Sequence, residues 1–152
     1  MPREETIGRM IVAGCILLCL IIIYWVSTAV RDHFAEYIYG FWCGETVDGA
    51  CIIYLDRDGD IHLTESNEVM NTTSMAKGQY TLNSQSTFGM SMRSYSFSVN
   101  DWSRKTSIGQ RLSQPNLSID LYPIEGTLII YGSDGDIITL VKDNKSNIEL
   151  LL

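Results

Sequence analysis

The chain has 152 residues, of which 45% are hydrophobic and 19% are charged, so it can form one domain with a sizeable core. That composition is unlike a disordered or collagen-like chain. The formal net charge of -7 argues against binding of bare nucleic acid by electrostatics alone, and no nucleic-acid partner is expected. Much of the apolar content lies in one block near the N-terminus.

Residues 10–30 form that block, and they contain no charged residue, histidine, asparagine or glutamine. A helix of this length spans about 31 Å, close to the hydrocarbon thickness of a bilayer. Tyr24 and Trp25 lie toward its C-terminal end, where interfacial aromatic residues are enriched. We therefore predict a transmembrane helix over residues 10–30. The side chains expected to anchor it are Ile11, Leu17, Leu18, Ile22, Tyr24 and Trp25.

Two alternatives for this block are a cleaved signal peptide and a buried core helix. Arg3 precedes the apolar run, and residues 27–29 resemble a small-residue cleavage site. The run is longer than the usual apolar region of a signal peptide, however, and Glu4 and Glu5 balance the N-terminal arginines. A chain this small could hardly surround such a helix. The flanking charges differ by only one, which favours a cytoplasmic N-terminus by that single charge and leaves the orientation undecided.

The remaining boundaries follow from this helix. Residues 1–9 form a short tail, residues 31–39 a juxtamembrane segment that extends the helix by a turn or two, and residues 40–152 an all-β domain. The tail carries two arginines and two glutamates, so the whole net charge belongs to the part beyond the helix.

A period near two predicts the β structure of this domain. Residues 51–55 and 61–64 flank an Asp-Gly turn, and residues 127–131 and 137–141 flank another, so each pair predicts a hairpin. Further strands are predicted over residues 79–83, 87–92, 94–99, 117–122 and 148–152. Eight or nine short strands with turns between them indicate an antiparallel sandwich or barrel.

Two long polar stretches, residues 66–78 and 100–116, are predicted as loops. The second is locally basic within an acidic chain. Its Trp102, Arg104, Lys105 and Arg111 are therefore candidate contacts for lipid headgroups or an acidic partner protein. The alternative is a solvated loop in which the tryptophan packs on the core.

Some features depend on the compartment of the domain. Cys43 and Cys51 are a candidate disulfide pair in an oxidising space, and free thiols otherwise. Three glycosylation sequons would be used only in a lumenal domain. They begin at Asn71, Asn116 and Asn144.

No signature of catalysis or of a metal site is present. Residues 56–60 alternate aspartates but lack the glycine and glutamate that a calcium loop needs, so they predict an acidic turn. Only His33 and His62 could join the cysteines as zinc ligands. An enzyme would need a cleft around His62 and Asp58. We expect no enzyme, metal, cofactor or small-molecule substrate.

Gly40-Phe41-Trp42 resembles the Gly-x-Trp motif that opens lipocalin-like barrels, although the closing arginine of that family is missing. This resemblance implies a membrane-tethered barrel that binds a small apolar ligand. Its cavity would be lined by residues such as Tyr54, Tyr95 and Phe97.

A second resemblance covers more of the chain. Residues 39–45 (YGFWCGE) lead to residues 51–55 (CIIYL), and the chain ends with a hairpin and a Lys142-Asp143-Asn144 turn. This arrangement resembles small membrane-anchored proteins of nucleocytoplasmic large DNA viruses. The resemblance implies a minor capsid component that lies in the virion between the internal membrane and the capsid. Its partners would be membrane lipid and capsid or other virion proteins. Strand edges such as residues 148–152 could pair with such a partner.

Overall fold

The computed structural model describes residues 2–47, 49–88 and 91–143, which form two compact units divided between Glu36 and Tyr37. Two predicted features lie outside these residues. The predicted strand over residues 148–152 and the sequon at Asn144 lie beyond them.

The first unit is the helix α1, Pro2–Glu36. Its stretch Arg3–Arg31 is long and apolar enough to cross a membrane, and none of its most apolar window is buried. A buried core helix is therefore the wrong interpretation of this stretch. The helix runs past residue 30, and no glycine or proline occurs between that residue and its end at Glu36. The hydroxyl of Ser27 donates to the carbonyl of Ile23 at 2.7 Å, so it is satisfied within the helix as an apolar surrounding requires.

The second unit is an eight-stranded antiparallel barrel, in which each strand pairs with the next and the last pairs with the first. The strands are β1 Gly40–Thr46, β2 Gly49–Leu55, β3 Asp60–Asn67, β4 Thr72–Phe88, β5 Met92–Asn100, β6 Leu117–Tyr122, β7 Thr127–Gly132 and β8 Gly135–Lys142. A short helix, α2 Ser107–Leu112, lies between β5 and β6. The predicted all-β class is confirmed, and the closed pairing makes it a barrel rather than a sandwich.

The prediction of a loop over residues 66–78 is wrong. β3 continues to Asn67, and β4 then runs for 17 residues, pairing first with β3 and then with β5. The separate strands predicted over residues 79–83 and 87–92 are thus parts of β4 and of the β4–β5 hairpin. The inward positions of β4 include Ala76 and Gly78, whose small side chains produce no hydrophobic alternation.

Side chains fill the barrel interior. Inward positions alternate along the strands as the period of two requires, and many large side chains among the described residues are almost completely buried. They are Ile38, Trp42, Ile53, Ile61, Leu63, Leu112, Leu117, Ile119, Leu121, Leu128, Ile130 and Leu140. The core is therefore packed along its length, like the interior of other small closed barrels.

The up-and-down order gives the barrel two distinct ends. At the entry end, the chain arrives at Tyr37 and leaves β8 at Lys142, beside the β2–β3 and β6–β7 turns. At the far end lie the β1–β2, β3–β4 and β7–β8 turns, together with the segment that contains α2. The buried Ile108 and Leu112 of α2 close this far end.

Candidate functional site

The segment between α1 and β1 is built into the core at the entry end. The indole nitrogen of Trp42, which is 0% exposed, donates to the carbonyl of Ile38 at 2.8 Å. Ile38 is itself buried, and the ring of Tyr37 meets the Trp42 ring edge-on with centroids 6.1 Å apart. Residues 37–39 are thus fixed to the barrel by packing and hydrogen bonding.

Lys142, at the end of β8, completes this entry-end cluster. Its ammonium lies 4.7 Å from the ring centroid of Trp42 and 5.0 Å from that of Tyr37, within the range of a cation–π interaction. The same group donates to the carbonyl of Tyr37 at 2.7 Å and to that of Tyr39. A lysine at the end of β8 thus packs over Trp42 of the Gly-x-Trp motif. Its position directly after the predicted strand over residues 137–141 was the available signal.

The burial of Lys142 should appear in the pH dependence of stability. Burial lowers the pKa of its ammonium from 10.5 to about 8. The unfolded chain therefore binds this proton over a pH range in which the folded chain has released it. Unfolding free energy should consequently rise with pH between about 8 and 10.5, because the unfolded state binds more protons there.

Lys142→Met should remove this contribution to the slope. Denaturant titrations of both full-length proteins in detergent across that pH window would measure it, since other titrating groups are common to the two. Equal slopes in the parent and the variant would contradict the assignment.

The residues expected to line a ligand cavity do not face one space. Tyr95 and Phe97 point into the filled core, whereas Tyr54 alternates with the buried Ile53 and Leu55 and faces outward. Its ring stacks on Phe41 with centroids 4.4 Å apart. The predicted cavity lining is therefore wrong, because Tyr54 occupies the other face of the barrel wall.

The candidate contact residues of the predicted loop separate into two groups. Trp102 is half-buried and packs over Gly78, where an added Cβ would come within 3.2 Å of the indole ring. Arg104, Lys105 and Arg111 are exposed at the far end. The tryptophan therefore holds the segment on the barrel, and the three cations remain available at the surface.

A groove of about 380 Å³ at the far end brings two of these cations together with the β1–β2 and β3–β4 turns. Lys105 and Arg111 line one side, and Val47 of the β1–β2 turn and Met70 of the β3–β4 turn line the other. Val47 is fully exposed. Met70 and its neighbour Val69 are mostly exposed as well. Apolar residues inside polar turns were the signal that could have revealed this surface, which we call the rim groove.

The short helix α2 positions the basic side of the rim groove. The Thr106 hydroxyl caps it by accepting from the amide of Gly109 at 3.0 Å, and a carboxylate oxygen of Glu65 accepts from the amide of Ile108. Leu112 anchors its last turn in the core. Arg111 is thereby held at the rim by a helix that is fixed at both ends.

The candidate disulfide between Cys43 and Cys51 is not formed, and both thiols are free. The strand register explains this result. Cys51 pairs with Gly44, and both face the core. Cys43 directly precedes Gly44 on β1, so it faces outward, where its sulfur lies 3.8 Å from a carboxylate oxygen of Asp143. Burial raises the pKa of the Cys51 thiol to about 12; burial and the Asp143 carboxylate also raise that of Cys43.

The acidic turn over residues 56–60 is held by its own hydrogen bonds. The amide of Asp56 donates to the carbonyl of Asp60 at 2.9 Å, and the Asp56 carboxylate accepts from the amide of Asp58 at 3.3 Å. Within the described part of the chain, no group of three or more histidine, cysteine, aspartate or glutamate side chains could hold a metal ion. The outward-facing His62 packs against the ring of Tyr54.

These features define an eight-stranded antiparallel barrel with a filled core, which follows an apolar helix long enough to span a membrane. No protein-family model, curated protein or solved structure matches the chain.

Proposed function

We propose that this chain is a single-pass membrane-anchored structural protein, a minor capsid component that tethers the internal membrane of a virion to the overlying shell. In this proposal α1 lies in the bilayer, and the far end of the barrel binds a shell protein. The filled core is the observation that carries the structural role, because the inward side chains of the described strands leave no interior space for a ligand of the size that a lipocalin-like barrel holds. The viral setting rests on the sequence resemblance.

The entry-end cluster suits a tether. Only residues 37–39 separate α1 from β1, and they are packed against Trp42 and Lys142 rather than left as a free linker. Load that reaches the barrel through the chain at Tyr37 is therefore carried by the barrel core.

The rim groove supplies the partner contact in this proposal. It combines the apolar tips Val47 and Met70 with the cations Lys105 and Arg111, so it matches a protein surface with apolar and acidic groups. An anionic lipid surface is the weaker match for two reasons. The part of the chain beyond residue 30 carries the full net charge of -7, and lipid-binding clusters usually contain four or more basic residues. Many copies on a shell would add avidity to weak single contacts.

Site-specific photo-cross-linking in the native membrane would test the tether. A photoreactive residue at Val47 should cross-link to one major shell protein in fixed stoichiometry. The matched control is Ile124, which is also mostly exposed but lies in the β6–β7 turn at the entry end. It should give at most about a tenth of that product, which corresponds to the 1.4 kcal/mol that a tenfold change represents.

A charge reversal gives the same experiment a second readout. Arg111→Glu should lower the Val47 cross-link at least about fivefold if the partner surface is acidic. The reversal Arg57→Glu, in the β2–β3 turn at the entry end, should leave the yield unchanged. Cross-links from Val47 only to lipid, or equal yields from Val47 and Ile124, would overturn the proposed tether.

A further inference from the structure

The first half of β4 has only one neighbouring strand. Residues 72–79 of β4 pair with β3, whereas the pairing with β5 begins at Gln79 and follows the second half of the strand. On the side away from β3, residues 72–76 have no ladder partner within the described chain. The barrel wall therefore has an open strand edge here, beside the β3–β4 turn at the far end.

The hydrogen bonds of Lys77 show which backbone groups this edge presents. The amide of Lys77 donates to the hydroxyl of Ser103 at 3.0 Å, and its carbonyl accepts from the amide of Ser103 at 2.7 Å. Lys77 therefore points its backbone groups away from β3. Alternate residues of a strand point these groups to the same side, so the N–H and C=O of Thr73 and Met75 point to the open side as well.

The segment after β5 shows that this edge accepts another stretch of chain. Ser103 pairs with Lys77 through its amide and its hydroxyl, and the chain then leaves the edge to begin α2 at Ser107. Proteins usually blunt an exposed edge with charged residues or proline, but residues 72–76 contain neither. The edge is therefore suited to strand addition, in which an extended peptide pairs with an exposed sheet edge.

The rim groove defines the chemistry of a segment that pairs there. Ser74 of β4 lines the groove together with Lys105 and Arg111. Among the lining residues of the described chain, the only carboxylate belongs to Glu65, and it accepts a hydrogen bond from the amide of Ile108. Side chains of an added strand alternate between the two faces of the sheet, so every second one faces the groove and its two cations. Aspartate or glutamate fits those positions, because a carboxylate forms charge-assisted hydrogen bonds with lysine and arginine.

We propose that the partner at the rim groove contributes an extended acidic segment, which pairs as an added strand with the open edge of β4 at residues 72–76. The N–H and C=O groups of Thr73 and Met75 form the hydrogen bonds to this segment. Its acidic side chains lie against Lys105 and Arg111. Five extended residues span about 17 Å, so a short stretch of the partner suffices. This inference rests on the proposed tether for the place of the partner and specifies how the partner is bound.

Photo-cross-linking of the full chain in the native membrane tests the added strand. Met75 alternates with the buried Ala76, so it faces outward on β4, and it is 56% exposed. A photoreactive residue at Met75 should cross-link to the same shell protein as one at Val47, within a segment that contains aspartate or glutamate. The matched control is Ile52, which lies in the same row of the outer wall two strands away. It should give at most about a tenth of the Met75 product, a difference equivalent to about 1.4 kcal/mol.

Removal of a single backbone donor separates strand pairing from side-chain contact. Met75→Pro deletes an amide that points to the open side, and proline is tolerated at such edge positions because no ladder bond to β3 is lost. It should lower the Val47 cross-link about fivefold, as the loss of one hydrogen bond predicts. Met75→Ala keeps the amide and should leave the yield within about twofold of the parent. Thr73→Pro removes the second donor and should act as Met75→Pro does, and circular dichroism checks that each variant is folded.

The results distinguish failure of the added strand from failure of the tether. If Val47 gives no cross-link to a shell protein, the tether is wrong and the added strand is wrong with it. If the Val47 product forms but Met75 yields no more of it than Ile52 does, the added strand alone is overturned. Folded proline variants that cross-link from Val47 as well as the parent have the same meaning. A Met75 product that maps to lipid, or to a segment without acidic residues, overturns the chemistry assigned to the occupant.

Discussion

Trp42→Ala should cost the barrel about 3–5 kcal/mol of unfolding free energy, the range for truncating a fully buried tryptophan. Trp42 is 0% exposed and holds three partners at the entry end: the carbonyl of Ile38, the ring of Tyr37 and the ammonium of Lys142. Domains of this size are stable by only about 5–15 kcal/mol in total. A large part of the variant should therefore be unfolded under mild denaturing conditions.

Denaturant unfolding of the full chain in detergent, followed by circular dichroism of the β signal, would measure this loss. Trp42→Phe serves as the control, because it keeps an aromatic ring in place and loses only the hydrogen bond to Ile38 and some volume. Its cost should fall between those of the parent and the alanine variant. A loss below about 1 kcal/mol for alanine would show that the entry-end cluster does not stabilise the barrel.

Leu112→Ala should have the next largest effect, with a cost of about 2–5 kcal/mol. Leu112 is 0% exposed and fixes the last turn of α2 at the far end of the core. Because Arg111 precedes it, a loosened α2 also displaces the basic side of the rim groove. The Val47 cross-link should therefore weaken in this variant even at temperatures where the barrel remains folded.

Gln110→Ala is the matched control on the same helix, since Gln110 is exposed and its side chain leaves the core untouched. Its unfolding free energy should stay within about 0.5 kcal/mol of the parent. The denaturation assay used for Trp42 measures both variants. Similar losses for the two substitutions would mean that α2 as a whole, rather than its buried leucine, determines stability.

The β-barrel was predictable where large inward side chains alternate with polar ones. Residues 94–99 and 117–122 show this pattern, and both lie within strands whose inward residues are buried. The first half of β4 could not be predicted from this pattern, because its inward residues Ala76 and Gly78 are small. Trp102 fills the space above the strand at Gly78. Helix α2 was not predicted either, because its six residues are too few to display a helical period.

The candidate site was only half predictable. The basic residues stood out by their charge within an acidic chain, and Arg104, Lys105 and Arg111 are indeed exposed. Val47 and Met70 could not be assigned to the same groove, because their two turns come together beside α2 only in the folded barrel. The absence of the Cys43–Cys51 disulfide could not be predicted for a related reason. The strand register decides which face of the barrel wall each cysteine takes, and the sequence does not specify that register.

The pairing order of the barrel also bears on how the protein is made. Seven of the eight ladders among the described strands join neighbours in sequence and can form as local hairpins, whereas the eighth joins Trp42 to Lys142. Synthesis proceeds from the N-terminus, so α1 is complete long before β8 leaves the ribosome. Until then the growing sheet has an unpaired β1 edge next to exposed apolar residues. The growing barrel is therefore open to edge-to-edge association with neighbouring copies until β8 closes it.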